Sequence, residues 1–484
     1  MNNIYKTIIC VIVTLLLFLT TIPLDFEASG GDETSNTTGA RGSARGGLPN
    51  DMWPQFRGDS AKTGNTSASG IGYYNLHWSS NIGVAFSSPV VQYDQIYIPT
   101  TTGLRCFDLN GNSVWTFTPG SQYVTPLIFS GRVYYAADNG RLYCLDANAT
   151  GTGTTTNYWT YSPTAGGTHS SPTTDGKMIF YPIMNAAGLT AVWLSNGTKA
   201  WNASLGGSTT TEASPAYWDG KVYCGSGSSA GGGTNYLYCF YANNGTLKWK
   251  FDAGNPICST PAVDCGYVYF TNINGKIFCC DADGSVGSTT KVWEYNTNTG
   301  SLGTLGSPSV AYGEVYIGDV NSHLYSLDYK GSGGSTSVNW EQILTPVGTF
   351  GIYSSPAVTP DYVYVSTSGN AIHCRNRITG ALVWSQTYTG EMYGMNNAPA
   401  VYKDIVVVAS DNGYLYIIRP DIISPKISSS DPANDDSEVD IGTDITIKFD
   451  EEIDDTTLTT SSITLVDSQS NPVTGDVTFD MSAN

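Results

Sequence analysis

The strongest constraint on this fold is a repeat of two residue types along most of the chain. Eight tryptophans and eight prolines alternate, and each proline follows a serine, a threonine or an alanine. Successive prolines are 37 to 48 residues apart, which suits four short strands with their turns. The period predicts a ring or solenoid of repeats rather than one large core. The tryptophans are Trp78, Trp115, Trp159, Trp201, Trp249, Trp293, Trp340 and Trp384, and the prolines are Pro89, Pro126, Pro172, Pro215, Pro261, Pro308, Pro356 and Pro399.

A recurring hairpin indicates what each repeat contains. In one example the strand at residues 132–135 turns at Asp138-Asn139-Gly140 into a second strand at residues 142–146, and an Asn-Gly pair supplies the positive φ of a tight turn. The 54 glycines, 32 tyrosines and 11 tryptophans favour an all-β protein. A four-stranded sheet this small buries both faces only against neighbours, so we predict eight blades in a β-propeller.

The order of the signals also predicts how the ring closes. Trp78 precedes the first proline, whereas no tryptophan follows the last hairpin strand at residues 414–418. We therefore expect the strand that contains Trp78 to complete the final blade. Proline fits at the start of each innermost strand because no ladder donor is needed there, and the small residue before it lies where eight strands converge.

The charge distribution excludes one class of partner. The formal net charge is -19, and the segment from Asp421 onward holds 15 acidic residues against Lys426 and Lys448. No basic patch interleaved with aromatic residues occurs in the sequence, so we expect no nucleic-acid partner.

The N-terminal sequence predicts export. Lys6 precedes an apolar stretch at residues 8–24, and Asp25 and Glu27 follow it. Residues 1–28 therefore predict either a signal peptide or an N-terminal membrane anchor through residues 8–24, because the stretch is close to the length of a membrane span. Residues 29–50, rich in Gly, Ser, Thr and Arg, predict a flexible linker. We expect a secreted or cell-surface protein.

Six Asn-x-Ser/Thr sequons accompany this export signal. Such sequons are typical of exported surfaces, and they also arise by chance in a threonine-rich chain. Their asparagines are Asn36, Asn65, Asn148, Asn196, Asn202 and Asn244.

The segment WPQFRGDSAKTGN at residues 53–65 resembles the opening motif of the pyrroloquinoline-quinone-like (PQQ-like) β-propeller repeat family, which includes quinoprotein dehydrogenases and a bacterial outer-membrane-assembly lipoprotein. The resemblance implies a propeller over residues 51–421, in which each tryptophan of a tryptophan-docking motif lies flat between blades beside a turn glycine. The family spacing recurs at Ala191-Gly197-Trp201, Cys239-Gly245-Trp249 and Cys374-Gly380-Trp384.

Residues 422–484 resemble a bacterial Ig-like module of the surface-layer type. The segment is shorter than the roughly 100 residues of an Ig-like sandwich, so we expect a partial domain. The predicted fold class is all-β, with an eight-bladed β-propeller followed by an incomplete Ig-like β-sandwich.

The position three residues before each proline predicts the candidate binding site. Equivalent positions in a ring of blades face a common axis, so these side chains surround one mouth of the central channel. We expect a polar pair, His169 with Glu212, beside an aromatic wall. The alternative interpretation is that the mouth is simply filled by its own side chains. The predicted site residues are Phe86, Tyr123, His169, Glu212, Tyr353 and Asn396; Cys258 and Leu305 complete the ring.

We interpret the cysteines and one tripeptide motif as structural rather than functional. Cys106, Cys144, Cys239, Cys279 and Cys374 share one repeat position, so we interpret them as buried packing residues. Quinoprotein dehydrogenases place a vicinal disulfide against their quinone, but successive strand residues point to opposite faces, which opposes such a ring at Cys279-Cys280. Arg57-Gly58-Asp59 spells an adhesion tripeptide, yet it is part of the opening motif.

These observations predict an extracytoplasmic binding or scaffolding propeller rather than an enzyme. We identify no catalytic residues and no metal ligands, and we expect no cofactor. The expected partners are other envelope or surface proteins, or a small ligand at the channel mouth. Two alternatives stay open: a PQQ-dependent dehydrogenase that uses the quinone with calcium, and a structural surface-layer or adhesion protein.

Overall fold

The chain forms two compact units, one of residues 39–420 and one that combines residues 1–38 with residues 421–484. No helix long and apolar enough to cross a membrane occurs among the described residues. The computed structural model describes residues 10–12, 52–85, 87–119, 124–149, 153–164, 166–184, 188–206, 211–228, 234–297, 306–344, 351–388, 397–411, 413–419, 427–431, 446–449, 464–466 and 472–473.

Eight four-stranded antiparallel sheets make up the described part of the larger unit, which confirms the predicted eight-bladed propeller. In blades 1 to 7 the strands follow chain order from the innermost to the outermost. Blade 1 comprises β3 (Val90–Gln92), β4 (Gln95–Thr100), β5 (Gly103–Asp108) and β6 (Ser113–Phe117). Blade 2 comprises β7 (Leu127–Phe129), β8 (Arg132–Ala136), β9 (Leu142–Asp146) and β10 (Asn157–Tyr161). Blade 3 comprises β11 (Thr173–Thr174), β12 (Met178–Ile183), β13 (Gly188–Trp193) and β14 (Lys199–Ser204).

The next four blades repeat this arrangement. Blade 4 comprises β15 (Ala216–Trp218), β16 (Lys221–Gly225), β17 (Tyr236–Tyr241) and β18 (Leu247–Asp252). Blade 5 comprises β19 (Ala262–Asp264), β20 (Tyr267–Thr271), β21 (Lys276–Asp281) and β22 (Lys291–Asn296). Blade 6 comprises β23 (Ser309–Ala311), β24 (Glu314–Gly318), β25 (His323–Asp328) and β26 (Val338–Ile343). Blade 7 comprises β27 (Ala357–Val358), β28 (Tyr362–Thr367), β29 (Ala371–Asn376) and β30 (Leu382–Thr387).

Blade 8 joins the two ends of the propeller sequence. Its inner strands are β31 (Ala400–Tyr402), β32 (Ile405–Ala409) and β33 (Tyr414–Ile418), and its outermost strand is β2 (Leu76–Asn81). β2 pairs antiparallel with β33, with Trp78 opposite Ile417. The prediction that the Trp78 strand completes the final blade is therefore confirmed.

Aromatic packing holds each blade together and joins it to the next. In blades 1 to 7 an aromatic ring of the second strand lies 5.6 to 6.0 Å from the tryptophan of the outermost strand. The tryptophan also meets a turn of the following blade. A Cβ atom on Gly245, whose φ is +70°, would come within 2.5 Å of the Trp201 ring, so the close approach requires glycine at this turn.

A belt of hydroxyl groups links the innermost strands around the channel. The residue before the repeated proline donates its backbone N–H to the side-chain oxygen of the equivalent residue in the next blade. The belt is interrupted where Ala398 offers no hydroxyl to the N–H of Ser355, and no link from Ser88 to Thr125 is among the described hydrogen bonds. The observed links run from Thr125 to Ser171 (3.1 Å), Ser171 to Ser214 (2.8 Å), Ser214 to Thr260 (3.1 Å), Thr260 to Ser307 (2.9 Å), Ser307 to Ser355 (3.2 Å) and Ala398 to Ser88 (2.8 Å).

The belt predicts opposite effects for two substitutions. Ser214→Ala leaves the buried N–H of Ser171 without its acceptor, so we expect a loss of about 1–3 kcal/mol in the free energy of unfolding. Ala398→Ser supplies the missing acceptor, and we expect a gain of about 1 kcal/mol. Urea denaturation measures both changes, with the exposed Ser195→Ala as control. If Ser214→Ala and Ser195→Ala have the same midpoint, the belt does not stabilise the ring.

The smaller unit contains five short strands among its described residues. β34 (Ile427–Asp431) pairs with β35 (Thr446–Phe449), and a three-stranded sheet contains β1 (Cys10–Ile12), β36 (Thr464–Val466) and β37 (Pro472–Val473). Apart from residues 10–12, the predicted signal peptide or anchor and the predicted linker at residues 29–50 lie outside the described residues.

Candidate functional site

The opening motif lies across one end of the central channel. Residues 53–66, here called the floor segment, offer their backbone carbonyls to the innermost strands. In each pair the carbonyl oxygen of the first residue accepts from the backbone N–H of the second, at the N···O distance given. The pairs are Trp53 and Val91 (2.9 Å), Pro54 and Ile128 (2.7 Å), Ser60 and Tyr217 (2.7 Å), Ala61 and Val263 (2.9 Å), Thr63 and Val310 (2.8 Å), and Gly64 and Val358 (2.8 Å). In blade 3 the Thr173 hydroxyl donates to the Ser60 carbonyl instead. The segment thus contacts seven of the eight blades.

Two cationic side chains of the floor segment are buried inside the ring. Arg57 is 1% exposed and donates to the Thr260 carbonyl at 3.1 Å. Lys62 is fully buried and donates to the Pro172 carbonyl at 3.2 Å and to Gln55 Oε1 at 3.0 Å. Burial lowers the pKa of Arg57 to about 9 and that of Lys62 to about 7. These contacts confirm that Arg57-Gly58-Asp59 serves the fold, because its arginine is inside the ring.

The described members of the predicted ring lie toward the other end of the innermost strands. The floor segment binds residues two positions after the repeated prolines, whereas the ring positions come three residues before them. Within the described residues, His169 is exposed, and Glu212, Cys258 and Tyr353 are half-buried. The predicted site residues Phe86, Tyr123 and Asn396, and the ring position Leu305, lie outside the described residues. The described ring residues differ in chemistry from blade to blade.

Glu212 makes its described side-chain contacts with two residues that the predicted polar pair did not include. Ser228, from the turn after β16, donates to Glu212 Oε1 at 2.8 Å, and the Glu212 backbone N–H donates to the Gly227 carbonyl at 3.3 Å. The carboxylate also forms a hydrogen bond with Cys258 of blade 5. Burial, with Glu212 as a further cause, raises the pKa of the Cys258 thiol. The pairing of His169 with Glu212 stays a prediction.

Only part of the cluster formed by Glu212, Ser228 and Cys258 could be predicted from the sequence. Cys258 could be placed near Glu212 because both occupy the same repeat position in neighbouring blades. Ser228 follows the second strand of blade 4 in the glycine- and serine-rich segment at residues 225–233, and no repeat spacing indicates which of those serines reaches the mouth.

Thiol reactivity provides a test of the Glu212–Cys258 contact. Among the cysteines whose side chains are described, Cys258 alone is not fully buried. Glu212→Gln removes the negative charge that helps raise the thiol pKa, so we expect Cys258 to alkylate severalfold faster between pH 7 and 9, since the thiolate is the nucleophile. Mass spectrometry of the Cys258 peptide after timed iodoacetamide treatment measures this rate. The matched control Glu341→Gln should leave it unchanged, and an unchanged rate in Glu212→Gln would contradict the contact.

The repeated cysteines pack inside the blades as predicted. Each lies opposite the tryptophan of the outermost strand, as Cys106 does with Trp115 and Cys239 with Trp249. All five are buried. Burial raises the pKa of the thiols of Cys106, Cys144, Cys239 and Cys374, in the case of Cys144 to about 11.

The described residues do not fit a quinone with calcium. Cys279 packs between blades 5 and 6 and Cys280 between blades 4 and 5, so the two thiols lie on opposite faces of β21. The described ring positions offer a single carboxylate, Glu212, which Ser228 and Cys258 engage. No group of three His, Cys, Asp or Glu side chains placed to hold a metal occurs in the described part of the chain.

Solved structures with a similar fold include BamB and two dehydrogenases. BamB from Moraxella catarrhalis aligns with a TM-score of 0.55 and 15% identity over 73% of this chain and 99% of that chain. A europium-containing methanol dehydrogenase aligns with a TM-score of 0.58 and 12% identity over 76% of this chain and 98% of that chain. The quinohemoprotein alcohol dehydrogenase ADHIIG from Pseudomonas putida HK5 aligns with a TM-score of 0.58 and 13% identity over 79% of this chain and 83% of that chain. At these identities the likeness shows the fold alone.

Family models match both units. A search of curated proteins found no significant match. A bacterial Ig-like domain model matches residues 421–484, which confirms the predicted C-terminal resemblance. The model described as outer membrane protein assembly factor BamB matches residues 100–231, 186–335 and 334–420. Because these matches together cover residues 100–420, the chain belongs to the pyrroloquinoline-quinone-type propeller family to which that description applies.

Proposed function

We propose that this protein is an extracytoplasmic binding or scaffolding propeller that holds a segment of a partner protein at its channel mouth. The observation that carries this proposal is the contrast between the two ends of the channel. At one end the floor segment contacts seven blades through its own backbone. At the other end the described ring residues vary from blade to blade. A closed floor with a varied mouth favours recognition at the mouth.

The chemistry of the mouth favours a peptide segment as the ligand. His169 offers an exposed imidazole, Glu212 a carboxylate and Tyr353 an aromatic ring. A basic side chain of the partner would pair with Glu212, and an apolar side chain would pack on Tyr353. The predicted aromatic residues Phe86 and Tyr123 would extend that apolar surface. The partner is then an extended loop or terminus of another envelope or surface protein.

The family and the C-terminal module support the cellular location. The matching family is described by an outer-membrane assembly factor, and the C-terminal match is to a bacterial Ig-like domain. The N-terminal sequence, with Lys6 before the apolar residues 8–24, is typical of exported chains. We therefore place the propeller outside the cytoplasm, either secreted or at the cell surface.

Peptide selection on the full-length chain tests this function. Peptides from a random phage-displayed library would be selected on the wild-type chain, and their affinities measured by calorimetry for Glu212→Gln and Tyr353→Ala. We expect each mouth variant to weaken binding at least tenfold, which corresponds to about 1.4 kcal/mol. The matched control Ile378→Ser changes an exposed outer residue and should leave the affinity unchanged. Bound peptide should also protect Cys258 from alkylation. Peptides whose affinity neither mouth variant changes would overturn the proposal.

The alternative function is that of a PQQ-dependent dehydrogenase. The similarity in fold to the methanol and alcohol dehydrogenases favours it, and the positions of Cys279 and Cys280 oppose it. Titration of the full chain with pyrroloquinoline quinone and Ca²⁺ distinguishes the two functions. A stoichiometric bound chromophore together with oxidation of an alcohol or sugar would replace the binding proposal.

A structural surface-layer or adhesion role is the second alternative. The Ig-like match at residues 421–484 favours it. Under this alternative the propeller is a spacer, so both mouth variants would leave attachment of cells or assembly of the surface layer unchanged.

A further inference from the structure

The structure separates the six Asn-x-Ser/Thr sequons by their exposure. Asn148, Asn196, Asn202 and Asn244 are exposed. Asn65 is 3% exposed, because it lies in the floor segment. Asn36 lies outside the described residues. A transferase can reach only exposed asparagines of a folded chain, so the sequons divide into four accessible ones and one inaccessible one.

Three of the exposed sequons occupy the same turn in consecutive blades. Asn148 follows β9, Asn196 follows β13 and Asn244 follows β17, so each lies between the third and fourth strands of blades 2, 3 and 4. Antiparallel strands alternate in direction, so these turns emerge at the face opposite the loops that carry the channel mouth. The exposed turn sequons therefore form one arc on the face away from the mouth.

In two of the three turns, those of Asn196 and Asn244, the asparagine side chain is held by its oxygen. Thr198 donates its N–H to Asn196 Oδ1 at 3.0 Å and its hydroxyl to the same oxygen at 2.7 Å. The N–H of Thr246 donates to Asn244 Oδ1 at 2.9 Å. Within the described contacts, Nδ2 of Asn196 and Nδ2 of Asn244 have no hydrogen-bond partner. The described hydrogen bonds therefore engage the oxygen of each side chain and not the nitrogen that would carry a glycan.

The turn does not require an asparagine at the sequon position. In blade 7 the position before the turn glycine Gly380 is Thr379, whose hydroxyl accepts the same type of bond from the N–H of Ala381 at 3.3 Å. A threonine therefore satisfies the turn, whereas asparagine followed by glycine and threonine also forms an acceptor for N-glycosylation.

We propose that Asn196 and Asn244, with Asn148 in the neighbouring blade, carry N-linked glycans on the face opposite the channel mouth. This proposal rests on the export that the proposed function includes. The co-reactant is an oligosaccharide joined through its anomeric carbon to a polyprenyl phosphate or diphosphate. The Asn Nδ2 atom forms a bond to that carbon, the bond from the carbon to the phosphate oxygen breaks, and Nδ2 loses one proton. The lipid phosphate leaves with the bonding electron pair.

Glycans at these turns would leave the mouth free. They would cover blades 2, 3 and 4 at the face opposite the mouth, where large side chains such as Trp193 and Leu247 are exposed. Covering exposed apolar residues with sugar limits association with other surfaces. Partner binding would then be directed to the mouth and to the remaining blades.

Glycopeptide mass spectrometry of the intact chain from its own cells tests the proposal. The chain is recovered from the cytoplasm, the envelope and the medium, and fragmentation locates any added mass. We expect hexose- or hexosamine-containing additions on Asn196 and Asn244 and none on Asn65. Bare Asn196 and Asn244 in exported chain would overturn the glycan proposal and leave the proposed function standing. A chain found only in the cytoplasm would overturn both, and equal addition at Asn65 would contradict the role of folded-state exposure.

Matched variants separate N-linked from other modification. Thr198→Val removes the sequon but keeps Asn196, and Thr198→Ser preserves the sequon. We expect the addition on Asn196 to disappear in Thr198→Val and in Asn196→Gln, and to persist in Thr198→Ser. The addition on Asn244 should be unaffected in all three and serves as the internal control. Persistence of the Asn196 addition in Thr198→Val would overturn the assignment.

Discussion

Deletion of residues 53–66 is expected to lower the melting temperature of the propeller by about 10 °C or more. The deletion removes the acceptors for six backbone N–H groups of the innermost strands. Each buried donor left without a partner costs about 1–3 kcal/mol, against a net stability of about 5–15 kcal/mol for a folded protein. Water that enters the opened channel would satisfy some of these donors, so we take the lower end of that range. Thermal denaturation followed by circular dichroism measures the change.

The control deletion removes residues 31–48 from the predicted linker and should leave the melting temperature unchanged. A point variant tests the same segment without shortening the chain. Gly64 has a φ of +69°, and a Cβ atom there would approach Ser309 Oγ within 2.4 Å and the Pro356 carbonyl within 2.9 Å. We therefore expect Gly64→Val to destabilise the fold by several kcal/mol, since both the backbone conformation and the space exclude a side chain. A melting temperature equal to that of the control would show that the floor segment is not needed for stability.

Acid should destabilise the propeller through His373 between about pH 6.5 and pH 4. His373 is 4% exposed, and neither of its ring nitrogens has a hydrogen-bond partner among the described residues. Burial, together with the nearby Arg375, lowers its pKa from 6.5 to about 4. In this window the unfolded chain binds a proton that the folded chain does not, so the free energy of unfolding falls as the pH falls. The full loss is about 3 kcal/mol.

Urea denaturation at several pH values between 7.5 and 4 measures this dependence. His373→Leu removes the buried ring nitrogens, so we expect the loss between pH 6.5 and 4 to shrink and the stability at pH 7.5 to be kept. His323→Gln changes a less buried histidine and should retain the wild-type dependence. The carboxylates with lowered pKa, such as Asp94 and Asp283, lose their contribution only at still lower pH. If the free energy of unfolding of His373→Leu falls with decreasing pH as steeply as that of the wild type, the acid sensitivity belongs to another group.

The features that repeat along the chain were predictable from the sequence. The spacing of the prolines predicted eight blades, and the position of Trp78 before the first proline predicted the closing strand. The shared position of Cys106 and Cys239 predicted burial, and the structure places each opposite a tryptophan. These predictions succeed because a repeat averages the same local signal over several units, so one irregular blade does not obscure it.

Contacts between distant segments were not predictable in the same way. The sequence indicated that a small residue precedes each proline, but it did not show that the hydroxyl of Ser214 accepts from the next blade. It identified the opening motif, but not that Arg57 reaches Thr260 across 203 positions of the chain. At the mouth, Ser228 reaches Glu212 from an irregular turn. Such contacts depend on how blades are placed in space, and no local pattern records them.

The closure of blade 8 has a consequence for how the protein is made. β2 is synthesised before any complete blade, and its partner β33 is among the last propeller residues to leave the ribosome. Until then β2 has an unpaired edge, which is prone to pairing with other chains. Synthesis of the whole propeller sequence must therefore precede ring formation, and a chaperone that shields residues 76–81 until then would raise the yield of folded protein.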